Sequence, residues 1–463
     1  MALGLAVPVV VGLGAFAINR GIRAEGAPDA TLTRKLTGAA AAAAATAPPA
    51  PTLKGIDLTK IMLGDAATTP LPDGKIARLT VDPVLQKTAS AIMSMHHVPE
   101  AAIVLMDVQT GKILVYASHM EKGPLRDLAV EATAPAASVF KVVTGTALVE
   151  SAGLSPETKE CYSGGEQRLN ERDLVPDPKR DKWCSTLAGA MGRSINTIFA
   201  RQALKHLKPH TLEEHAKSLG FGGVFPFDVP VQQSALKFPE DQLGYARTAA
   251  GFWNTTLSPI HAAWLSATVA RSGEPVRPVL VNDVVDEKGK TLWVAPSGLA
   301  QKRAMKIETA QQVTAMMDAT VSDGTSYKAF HDKHGQSFLP GIAVAGKTGT
   351  LTDGQQGRFY TWFTGFAPSH PYVVQVKGDD EKPSPPRQVA VGVLVVNNPT
   401  WSIKANLLAR EVLRAYFAQQ KVQGVTAPAT GEKQTSPDDD EESDKGDKAK
   451  RSEAPSTRRK ARR

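Results

Sequence analysis

Cysteine is almost missing from these 463 residues, with Cys161 and Cys184 as the whole complement. Two thiols allow at most one bridge within the chain. Metal-ligand spacing is missing too: His206, His210, His215 and the pair His96–His97 stand in no pattern with acids or cysteines that would hold an ion. These histidines read as surface or satisfied core residues, and no metal or cofactor is expected. Repeated membrane-length apolar runs and a His-Glu-x-x-His string are also missing, so these residues give no sign of a receptor coupling several spans to a zinc protease.

The body of the chain has little excess charge of either sign. Of the formal +8, residues 1–60 hold six Lys/Arg against three acids and residues 421–463 hold eleven against nine, which leaves +3 between them. A near-neutral body with solvated ends is no nucleic-acid footprint, so no nucleic-acid partner is expected.

What is present allows one large domain or two small ones, with 42% hydrophobic residues to fill a core. Met1 to Ile18 carries no charged side chain and is borderline in length for a membrane span. Ala15-Phe16-Ala17 would suit signal cleavage, yet no basic residue precedes the run, and Arg20 and Arg23 follow it, a polarity that argues against export. Residues 1–20 are therefore read as a membrane anchor or signal segment, and 21–75 as an Ala/Pro linker and spacer too short for a domain. Residues 76–420 are the expected folded domain, and 421–463 a charged tail poor in apolar residues, expected to be disordered. Within the domain, helices are predicted over 82–95, 197–219, 257–272, 307–320 and 403–419, and strands over 102–107, 112–118, 343–351, 359–366 and 388–397. A charged, proline-rich loop is expected over 371–387. Strands at both ends with helices between them predict an α+β fold, a mostly antiparallel central sheet faced by helices.

The chemistry centres on Pro135-Ala-Ala-Ser-Val-Phe-Lys141, an apolar run with Ser138 and Lys141 three residues apart. That spacing places both on one helical face, with Pro135 in the first turn. A hydroxyl is a poor nucleophile until its proton is taken, and a lysine among Val139, Phe140, Val142 and Val143 is pushed toward its neutral form by desolvation. Downstream stand Ser194-Ile195-Asn196 and Lys347-Thr348-Gly349. Ser-x-x-Lys occurs again at Ser234–Lys237, after Ser194 and so out of order.

At these three strings the sequence resembles the penicillin-binding transpeptidases, relatives of the serine β-lactamases. The resemblance runs from about Ile76 to about Gln419 and includes Leu79 to Gln86, Asp107 to Tyr116 and Thr256 to His261. It implies an α+β domain in which a central sheet stands beside an all-α region. It also implies a peptidoglycan D,D-transpeptidase: Ser138 attacks the carbonyl between the last two D-alanines of a stem peptide, Lys141 takes its proton, and Ser194 relays a proton to the departing D-alanine. Asn196 would hold the substrate amide, Lys347 the terminal carboxylate with the hydroxyls of Thr348 and Thr350, and Gly349 would let substrate approach the strand. The oxyanion would lie between the N–H groups of Ser138 and Thr350. The implied partners are peptidoglycan stem peptides, β-lactam antibiotics, other cell-wall synthesis proteins and, through the N-terminal segment, the membrane. The implied place is the outer face of the cytoplasmic membrane.

Two alternatives stay open at this point. With water as acceptor the same acylation gives a D,D-carboxypeptidase or a serine β-lactamase; without turnover it gives a β-lactam sensor. Glu166-Gln-Arg-Leu-Asn170 matches the string with which one β-lactamase class activates water, but it precedes Ser194 where that class has it later. An extracytoplasmic function implies an oxidising compartment, so Cys161 and Cys184 are expected to form a disulfide that ties the loop beneath Ser194 and Asn196.

Overall fold

The computed structural model describes residues 53, 55–165, 168–371, 385–398 and 402–429. The apolar N-terminal segment, the spacer up to residue 52, Glu166, most of the 371–387 loop and the charged tail from residue 430 lie outside the described residues.

Five strands make the central sheet: β1 (Glu100–Asp107), β2 (Ile113–Met120), β3 (Ala345–Asp353), β4 (Arg358–Ala367) and β5 (Val389–Asn397). Their order is β3-β4-β5-β1-β2, every neighbouring pair is antiparallel, and β3 is an edge. Both faces are covered, which is why β1 and β5 read as unbroken apolar runs rather than alternating ones. Ile103, Leu105, Val391, Val393 and Val395 point into one core, and Val104, Met106, Leu394 and Val396 into the other.

The first core is closed by two helices, α1 (Pro83–Met95) and, at the far end of the chain, Ala405–Gln419. Asp82 caps α1 by accepting from the N–H groups of Val84 and Leu85, with Pro83 in its first turn. The second core holds the helical region: α2 (Lys141–Glu150), α3 (Leu187–Gly192), α4 (Asn196–His206), α5 (Pro259–Ala270) and α6 (Ile307–Ser322). The architecture is the expected α+β one.

Three local expectations need correction. Pro135 belongs to a two-residue strand paired with Thr256, and Ser138 lies on a 3-10 turn over Ala137–Phe140 that leads into α2 at Lys141. The stretch predicted as one helix over 197–219 is two, α4 and Pro209–Ser218, because Pro209 has no N–H for a continuing helix and starts a new one. The stretch read as spacer up to residue 75 is folded from residue 55 on: a second five-stranded sheet joins Met62–Leu63, Ala67–Pro70 and Ile76–Leu79 to Val281–Val285 and Thr291–Val294, so the domain begins before residue 76. No local pattern announces a pairing across about 200 residues.

Candidate active site

The turn that carries Ser138 is held by backbone on both sides. Ala136 donates to the carbonyl of Thr255 (3.0 Å), and the indole N–H of Trp362 on β4 donates to the carbonyl of Pro135 (2.8 Å). Ala137 has a left-handed φ of 49°, a conformation that costs a non-glycine residue on the order of 1 kcal/mol. Gly251 is pressed against this turn: a Cβ there would lie 2.4 Å from the carbonyl oxygen of Ala137 and 2.9 Å from Cα of Ser138. Among Pro135 to Phe140 every side chain is buried except that of Ser138, which is partly open.

Lys141 is fully buried, and its Nζ donates to Ser138 Oγ (2.9 Å), Asn196 Oδ1 (2.5 Å) and the carbonyl of Ala250 (2.5 Å). The ring of Phe199 on α4 lies 5.7 Å from the amine. No carboxylate is among these partners, so desolvation, helped by the charge of Lys347, holds the Lys141 pKa well below the ordinary lysine value. A lysine driven toward its neutral amine beside a serine hydroxyl is a base beside its nucleophile.

Ser194 follows α3 in a tight turn with φ 59°, and Asn196 opens α4. Lys347, on β3, is also fully buried; its Nζ donates to Ser194 Oγ (2.9 Å) and to the carbonyl of Thr348 (2.9 Å). Burial lowers its pKa to about 7, so it is poised between amine and ammonium near neutrality. Thr348 Oγ1 lies 2.6 Å from Thr325 Oγ1, and Thr350 is exposed along the open edge of the sheet. A Cβ on Gly349 would meet Ala137 Cβ at 3.1 Å, Trp362 Cβ at 3.2 Å and the Ala136 carbonyl at 3.3 Å. What the missing side chain admits is therefore the approach of β3 to the Ser138 turn.

The eight candidate site residues come together from four elements: the 3-10 turn with the head of α2, the α3–α4 turn, the head of α4 and β3. Residues 101–390 match the penicillin binding protein transpeptidase domain. The chain belongs to that family. Among relatives, stage V sporulation protein D of Bacillus subtilis is 24% identical over 339 residues, which are 68% of this chain and 51% of that protein. Peptidoglycan D,D-transpeptidase PbpA of Mycobacterium tuberculosis is 27% identical over 361 residues, 69% of this chain and 70% of that protein. The chain thus spans about half the length of the first and about 70% of the second. Two solved structures share the fold. Penicillin-binding protein A of M. tuberculosis has a TM-score of 0.59 at 22% identity, over 74% of this chain and 82% of that one. The D,D-transpeptidase domain from Eggerthella lenta has a TM-score of 0.59 at 23% identity, over 76% and 84%.

Cys161 and Cys184 form a disulfide, as expected, at directly opposed positions of a hairpin made by Lys159–Tyr162 and Trp183–Thr186. Buried Arg201 of α4 holds this penicillin-binding domain's bridged loop from inside: it donates to the carbonyls of Cys161 (2.9 Å) and Asp173 (2.7 Å) and pairs with Asp181 (2.7 Å). Thr197 adds a bond to the carbonyl of Gly164 (2.7 Å), and Gln202 one to Glu160 (2.8 Å). The repeat string Ser234–Lys237 is apart from all this: Ser234 is buried against His261 (2.7 Å), and Lys237 is exposed. His261 also bonds to the carbonyl of Leu219, and burial lowers its pKa to about 4, so it is a neutral core histidine.

Ala250, Gly251, Thr325, Trp362 and Arg201 escaped the sequence reading. Each acts through a carbonyl, a missing side chain or a partner distant in sequence, and none stands in a short motif.

Proposed function

We propose that this chain is a peptidoglycan D,D-transpeptidase that works through a Ser138 acyl-enzyme. The observation that carries this reading is the bond from fully buried, charge-depleted Lys141 to Ser138 Oγ at 2.9 Å. Neutral Lys141 takes the serine proton as Oγ adds to the carbonyl between the last two D-alanines of a stem peptide. The oxyanion is met by the N–H groups of Ser138 and Thr350. The proton returns to the departing D-alanine nitrogen through Ser194, which Lys347 holds. The substrate's terminal carboxylate lies by Lys347, Thr348 and Thr350, and its amide by Asn196. The acyl group then passes to the amine of a second stem peptide. A related enzyme, penicillin-binding protein A of M. tuberculosis, forms a penicillin G acyl-enzyme complex, and β-lactams are the inhibitors expected here.

We place the domain on the outer face of the cytoplasmic membrane, tethered through residues 1–20, where other cell-wall synthesis proteins act. The expected bridge of Cys161 and Cys184 fits such a compartment. Among the described residues no helix is long and apolar enough to cross a membrane. The test is labelling with fluorescent penicillin followed by intact-mass analysis. One adduct on Ser138, lost in Ser138→Ala, supports the reading; labelling that survives this substitution overturns it.

A further inference from the structure

Ser194 and β3 belong to different parts of the chain, and the turn after α6 joins them. Thr325 N–H donates to the carbonyl of Gly192 (3.0 Å), two residues before Ser194. The contact is backbone on backbone: a Cβ on Gly324 would lie 2.2 Å from that carbonyl oxygen, and a Cβ on Gly192 2.7 Å from the carbonyl oxygen of Ala319. From this anchored position Thr325 Oγ1 reaches Thr348 Oγ1 at 2.6 Å and the Gly192 carbonyl at 3.3 Å.

A hydroxyl has one proton, and Thr325 has two acceptors for it. When it donates to Gly192, Thr348 must donate to Thr325 and presents only lone pairs to the cleft. When it donates to Thr348, the Thr348 proton is free for an anion. The second arrangement gives up only the longer bond, since the Gly192 carbonyl keeps the Thr325 N–H. An arriving carboxylate selects that arrangement, and a chain of two hydroxyls polarises its terminal donor.

We propose that Thr325 is a positioning residue that turns Thr348 into a hydrogen-bond donor for the carboxylate of the substrate. This rests on the reading that the carboxylate lies along β3 beside Lys347. The site residue count thereby grows by one that never touches substrate.

The test compares benzylpenicillin with its methyl ester, which has no anionic oxygen, as acylating agents of the wild-type chain, Thr325→Val and Thr325→Ser. The quantity read is the ratio of acid to ester second-order acylation rates within one preparation, which does not depend on the fraction of folded protein. Thr325→Val is expected to lower that ratio about tenfold, the scale of one hydrogen bond to a charged group, through weaker binding rather than a slower acylation step. Thr325→Ser, which keeps the hydroxyl, should restore it. Equal loss for acid and ester in Thr325→Val, or no rescue by serine, would reduce Thr325 to a structural residue and overturn the assignment while leaving the transpeptidase reading intact. A wild-type chain that benzylpenicillin does not acylate would overturn both.

Discussion

Lys347 Nζ donates to Ser194 Oγ across 2.9 Å from a position with no exposure to solvent. Its ammonium form therefore pays for burial, and the pKa falls to about 7 from the free value of 10.5. Two consequences have opposite signs.

The first concerns stability. Below about 7 both folded and unfolded chains hold this proton; between about 7 and 10.5 only the unfolded chain does, so this group makes folding more favourable as pH rises through that window. Lys347→Met removes the cost. The mutant is expected to be more stable than wild type at pH 7, with the gap narrowing as pH approaches 9. Urea unfolding of both proteins at the two pH values checks this, and a gap that widens with pH would contradict it.

The second concerns binding. A carboxylate is attracted by the ammonium, which the free enzyme loses above about 7. Acylation by benzylpenicillin should fall as pH rises through that value, while acylation by its methyl ester should not. Parallel profiles for acid and ester would remove Lys347 from carboxylate recognition.

Removing the base should be severe. Lys141→Ala is expected to slow acylation by about a hundredfold or more, the usual worth of a positioned base, while leaving the fold in place. Stopped-flow labelling with fluorescent penicillin and a circular dichroism melt, taken together, separate the two effects. A second outcome follows from the Glu166 string, whose order speaks against a water-activating role: the penicillin adduct should persist for many minutes. Rapid release, lengthened by Glu166→Gln, would make the protein a β-lactamase.

Gly251→Ala should be costly for a local reason. At φ 82° the new methyl would strike the Ala137 carbonyl at 2.4 Å and the Ser138 Cα at 2.9 Å. The expected loss is on the order of 1–3 kcal/mol of stability, with a larger loss of acylation, because the turn displaced is the one that aims Ser138. A mutant with a lowered melting temperature and full acylation would show that the turn can move without harm.

The bridge of Cys161 and Cys184 closes a loop over a separation of 23 residues, worth about 3 kcal/mol on chain-entropy grounds. Since Arg201 and Thr197 bond to that loop from the helix that begins at Asn196, reduction should lower the melting temperature by several degrees (~1 kcal/mol or more) and slow acylation modestly. Calorimetry with and without reductant measures it. Two free thiols in unreduced, denatured protein isolated from the cell envelope would contradict both the bridge and the proposed compartment.

The sequence alone determined what is written in nearest neighbours. The three-residue spacing from Ser138 to Lys141 puts them within mutual reach on a helical turn, an apolar run makes Lys141 a desolvated amine, and the β-prone runs 102–107 and 112–118 pair as β1 and β2. Tertiary structure alone decided which groups complete those fragments. The Ala250 carbonyl that receives the Lys141 amine, the Gly251 that braces Ser138, and the Thr325 that links Gly192 to Thr348 lie 23 to 133 residues from their partners. Contacts of that kind depend on backbone atoms and on shape, which every residue type supplies, so no residue pattern encodes them. They exist only once the two cores have packed on opposite faces of one sheet and brought distant turns within 3 Å of each other.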